Sequence, residues 1–81
     1  METKKSIKEL VKETTRDYKV HIWAVPKHFC STLLGWEIDI IPFGDSTQKV
    51  INAVGRQKTE TKAYQAGIEY IREHYTMVIN Q

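Results

Sequence analysis

In the stretch WEIDIIPFG, residues 36 to 44, Trp36, Ile38 and Ile40 alternate with Glu37 and Asp39. A period of two puts the apolar set on one side of an extended chain and the acids on the other. These residues are therefore predicted as a strand with one buried face and one wet face. YKVHIWAVP, residues 18 to 26, is rich in aromatic and β-branched residues and reads as an earlier strand. Tyr18, Val20, Ile22 and Ala24 share one of its faces, and Lys19, His21, Trp23 and Val25 share the other. Pro26 is expected to end regular pairing or to sit at an edge. KHFCSTLLG, 27 to 35, is a connection of ambiguous shape. After a turn at Gly44 and Asp45, QKVINAVG, 48 to 55, is a third and less strongly patterned strand.

The ends of the chain change period. SIKELVKETTR, 6 to 16, places Ile7, Leu10, Val11 and Thr14 along one helical face. Ser6 followed three residues later by Glu9 is a capping-box pattern for its start. A longer helix is predicted from about Thr59 to Tyr75, with Thr59 as cap and Glu60 at the positive end of the dipole. Its inner stripe is Ala63, Ala66, Gly67, Tyr70, Ile71 and His74, and the small residues early in it allow close approach to a sheet. YTMVINQ, 75 to 81, is either a frayed tail or a short added strand.

Helix, three strands, helix, with short connections, gives an α+β fold. Two helices pack on one face of a three-stranded antiparallel sheet in the order α-β-β-β-α. Eighty-one residues suffice for one small domain, 1 to 81, with no repeat or low-complexity segment.

The helix start TETKAYQAG, 59 to 67, and the element order resemble the double-stranded RNA-binding domain. That family begins its second helix with a serine, paired lysines, an alanine, a third lysine and small residues. Thr59 matches the serine, Ala63 the first alanine, and Ala66 and Gly67 the small positions. Glu60, Thr61 and Tyr64 stand where the family carries its phosphate-binding lysines, with Lys58 and Lys62 beside the motif. The resemblance covers about residues 6 to 75 and implies backbone contact with duplex RNA.

Composition adds little that is specific. The chain is 41% apolar and 27% charged with a formal charge of +2, which excludes wholesale disorder but proves no nucleic-acid partner. No apolar run approaches the roughly 20 residues needed to span a bilayer, so no membrane partner is expected. METKKSIKELVKETTRD has no apolar signal region behind its cations, and the single cysteine, Cys30, suits a reducing compartment. A cytoplasmic location is expected.

Candidate chemistry is sparse. Arg56, Lys58 and Lys62 surround the second helix start, where free backbone N–H groups favour an anion. An ordinary solvated helix end has the same composition. Lys4, Lys5, Lys8, Lys12 and Arg16 lie on or before the first helix, and Lys8 and Lys12, one turn apart, form a separate candidate phosphate contact. Trp23 with His21 is a candidate interaction surface on the second strand face, either for stacked bases or for a protein. His21, His28, Cys30 and His74 lack the spacing of a zinc site, so no metal and no cofactor is expected. No nucleophile, base and oxyanion donor come together, so the chain is not read as an enzyme. Two functions remain. One is a non-catalytic nucleic-acid-binding or regulatory module that holds duplex RNA or DNA through phosphates. The other is a protein-interaction module, with a protein partner or a second copy.

Overall fold

A computed structural model describes residues 5 to 78. Helix α1 spans Ile7–Tyr18. Its cap is Ser6, whose hydroxyl accepts from the Glu9 N–H at 3.2 Å. It stops where Lys19 turns left-handed at φ 56° and donates its N–H to the Thr15 carbonyl. Thr14, the one fully buried residue of α1, donates its hydroxyl to the Leu10 carbonyl at 2.7 Å, which satisfies a polar group inside the core.

Strands β1, Val20–Phe29, and β2, Thr32–Pro42, form one antiparallel hairpin. In register, Ile22 opposes Ile40, Ala24 opposes Ile38, and Pro26 opposes Trp36. Of the two expectations for Pro26, the edge position holds: β1 is an edge strand and its pairing runs on through Pro26, and the connection of ambiguous shape becomes the hairpin's far half, turning at Cys30 and Ser31. The reason lies in hydrogen-bond parity. Trp36 directs its own N–H and C=O to Gln57, at 2.8 Å each, so its partner Pro26 points its nitrogen away from β2. The missing donor costs the ladder nothing there. Leu34 has no partner in the register and forms a bulge beside Lys27 and His28.

The three-stranded sheet is corrected to a two-stranded one. Residues 48 to 57 run beside β2 without forming a continuous ladder: Ile40 bridges Val50, Trp36 bridges Gln57, and between them the Ala53 N–H reaches the Ile38 carbonyl at 2.9 Å. From Val50 to Gln57 the chain takes seven steps, while β2 takes four from Ile40 to Trp36, so three residues are extra. Asn52 at φ 53° and Gly55 at φ 76° absorb them in left-handed conformations, which a continuous strand excludes. A single 3-10 turn, Ser46–Gln48, precedes this segment. The layout is thus α-β-β-α with an irregular edge.

Helix α2, Glu60–His74, begins at Thr59, whose hydroxyl accepts from the Lys62 N–H at 3.1 Å. It lies on the same sheet face as α1. Val20, Ile22, Ile38, Ile40, Ala63, Ile68 and Ile71 form the buried core, with Ile38 and Ile40 wholly inaccessible. Each buried isoleucine contributes about 1.5–3 kcal/mol by leaving water. Trp36, expected at the centre, is half-buried at the core's margin. Tyr75 closes the other end, and burial pushes its phenol pKa up. Beyond it, residues 76 to 78 form no strand, and Val78 donates its N–H to the Asp17 carbonyl at 2.7 Å. The rest of the 75–81 expectation, and Lys4, lie outside the described residues.

Gly67 sets the helix–sheet distance. A methyl group there would stand 2.9 Å from Cγ2 and 3.2 Å from Cγ1 of Ile38, a wholly buried β-branched side chain. Gly67→Leu should therefore overpack the layer and lower stability by roughly 1–3 kcal/mol, against the gain in helix propensity. A thermal melt checks this by sign: a raised Tm would mean that the glycine faces open space.

Candidate functional site

Among the described residues, the sheet's second face carries no helix. Strand alternation places His21, Trp23, Val25 and Lys27 of β1 on it, opposite Ile41, Asp39, Glu37 and Gly35 of β2. Trp23 is 50% exposed. His21 stacks on it with ring centroids 5.5 Å apart at 24°, and meets Phe43 on its other side at 4.5 Å and 46°. The two residues singled out from sequence are thus joined by a third ring. Phe43 went unnoticed because it looked like part of a turn. Its odd position after Ile41 was the available signal. Its N–H reaches the Lys19 carbonyl at 2.9 Å, which carries the pairing one step beyond β2 and turns the ring to this face.

The turn behind Phe43 is braced by Asp45. One carboxylate oxygen accepts from the Thr47 N–H at 3.1 Å and from the Thr47 hydroxyl, and the other accepts from the Gln48 amide at 2.8 Å. These donors, the Thr47 hydroxyl foremost, hold the Asp45 carboxyl below its ordinary range.

Farther along the face, Glu37 is nearly buried rather than wet, its side chain only 10% exposed. It is balanced by Arg56 at 3.3 Å and Lys27 at 3.7 Å. This corrects the placement of Arg56. Sequence grouped it with Lys58 at the helix start, whereas its side chain lies over Gly35 and reaches the open sheet face. A methyl group on Gly35 would meet the Arg56 chain at 2.7 Å and the Gln57 carbonyl at 2.6 Å, so only glycine admits this crossing. Asp39, also on this face, accepts from the Asn52 N–H at 3.1 Å and anchors the irregular segment. No long-range partner of this kind is readable from local pattern.

The other candidates gather on the helical side. Lys8 and Lys12 of α1 and Glu60 and Tyr64 of α2 line one groove of about 360 Å³, together with Ile7 and Val11. Lys8 and Lys12, treated from sequence as separate from the second helix, are thus brought to its first turn. Lys58 and Lys62 are exposed beside that turn. Among the described residues, Lys8, Lys12, Lys58 and Lys62 make no ion pair within 4.0 Å, while Lys5 is tied to Glu13 at 2.7 Å and Arg16 to Asp17 at 2.8 Å.

The hairpin tip adds exposed apolar residues. Phe29 is 70% exposed, and Leu33 and Leu34 flank it with Cys30 at the turn. No three His, Cys, Asp or Glu side chains converge as metal ligands among the described residues, and no described helix is long and apolar enough to cross a membrane. No protein-family model matches the chain, and no curated protein and no solved structure matches it.

Two outcomes check this geometry. Arg56→Ala should cost roughly 1 kcal/mol because it strips a nearly buried carboxylate of a partner, discounted for the half-exposed guanidinium. Lys58→Ala should stay within about 0.5 kcal/mol, as for a free surface side chain. Equal effects in urea melts would contradict the pairing with Glu37. For Asp45, a depressed folded pKa means stabilisation that is present above the unfolded value and lost as pH falls through the folded one. Hydrogen-exchange protection of the Thr47 amide should fall over that acid range in the native chain. In Asp45→Asn it should not titrate there.

Proposed function

We propose that this chain is a small non-catalytic protein-interaction module whose open sheet face packs against a second copy of itself. The observation that carries the reading is the exposed row Phe43, His21 and Trp23 on a face that no element of the described residues covers. Large aromatic rings left together in water are costly and are the residue types that anchor interfaces. The charges beside the row favour like-on-like contact. Lys27 and Arg56 stand against Glu37 and Asp39, so the face has no net charge to repel its own copy.

A second reading, recognition of a duplex phosphate backbone, has one observation in its favour: Lys8, Lys12, Lys58 and Lys62 are exposed and unpaired among the described residues. Against it, Arg56 is committed to Glu37, and Glu60 occupies the helix start. The resemblance to the double-stranded RNA-binding domain rests on element order and on part of the second-helix start, and the α-β-β-α layout neither supports nor opposes it.

Sedimentation equilibrium of the native chain and of Trp23→Ser tests the proposal. The native chain should dimerise with rising concentration, and Trp23→Ser, with an unchanged melt, should remain monomeric. A native chain that stays monomeric throughout would remove the reading. Duplex RNA binding at low salt, with a salt slope reduced by about one unit for each lysine replaced, would put the phosphate reading in its place.

A further inference from the structure

The groove between α1 and the start of α2 differs from the open sheet face in both shape and charge. Ile7 and Val11 stand one turn apart on α1, and Tyr64 faces them from α2. These three give the groove an apolar floor. Lys8 and Lys12, also one turn apart, line the same side, and Glu60 is the one acid in the lining among the described residues. Both lysines are exposed and have no acidic partner within 4.0 Å among the described residues. The volume of about 360 Å³ suits a few side chains and not a whole domain.

We propose that this groove docks a short acidic amphipathic helix from a different protein, with two large apolar side chains one turn apart on the floor and carboxylates set against Lys8 and Lys12. Charge complementarity selects this occupant. Among the described residues the lining carries two cations and one anion, so a second copy presenting the same groove would be repelled, unlike at the neutral sheet face. A phosphate backbone would use the lysines but has nothing to place on Ile7, Val11 and Tyr64. An amphipathic helix uses both, because its apolar residues recur at the spacing that Ile7 and Val11 present.

Fluorescence anisotropy with the full chain and a labelled synthetic helix-forming peptide tests the assignment. The peptide carries two leucines four residues apart, flanked by glutamates. Its controls are a scrambled peptide of equal composition and a version with lysine for glutamate. The acidic amphipathic peptide should bind at least about tenfold more tightly than either control. Lys8→Glu combined with Lys12→Glu should abolish that preference and favour the lysine peptide. Glu60→Gln should tighten the acidic peptide by removing the one repulsive carboxylate. Val11→Asp should eliminate binding. Because Val11 is half-buried, the exposed lysine pair provides the test that does not depend on folding. Trp23→Ser should leave peptide affinity unchanged, which separates this groove from the sheet-face contact. Equal binding of the scrambled peptide, binding that survives the lysine reversals, or loss of binding in Trp23→Ser would overturn the proposal. So would duplex RNA that binds these lysines more tightly than the peptide does.

Discussion

The contact between Gly67 and Ile38 fixes how the molecule is layered. Because position 67 has no side chain, α2 settles directly on the β2 isoleucine, and Ala63 and Ile71, one turn to either side, reach the same sheet surface. Ile40 and Val20 then complete a core that is sealed on the helical side only. With two paired strands and an irregular third segment, the described residues supply no second layer to cover the opposite face. Close packing on one side and openness on the other follow from the same architecture.

The open face is organised by its own interactions. At one end, Asp45 braces the turn that holds Phe43 against His21, and His21 in turn stacks on Trp23. At the other, Glu37 draws Arg56 and Lys27 together over Gly35. A carboxylate this deeply placed would be costly alone, and two partly exposed cations offset that cost without making the face positive. The helical side has the opposite character, with lysines that are unpaired among the described residues beside an apolar groove. The two surfaces therefore suit different partners.

Much of this was readable from the chain because the signals were local. The alternation from Trp36 to Ile40 predicted the buried face of β2, and Ser6 and Thr59 marked both helix starts. Trp23 and His21 fell on the outer face by parity alone. The third strand was misread because β-like composition in QKVINAVG says nothing of the three residues that must be accommodated against β2. Asn52 and Gly55, the residues that accommodate them, were the available warning. Pro26 left two outcomes open, and the edge position is the one realised: its nitrogen faces away from β2, a direction set by the bonds of Trp36 to Gln57. Arg56 was grouped with its sequence neighbours, but a carboxylate nineteen positions away decides where it lies.

If the row of rings is a contact surface for a second copy, dilution must move its resonances in amide and indole NMR spectra. Shifts at His21, Trp23 and Phe43 should depend on concentration and trace one binding curve, with Gly67 and Ile38 unmoved. Shifts at all three ring residues that stay constant on dilution would contradict that contact.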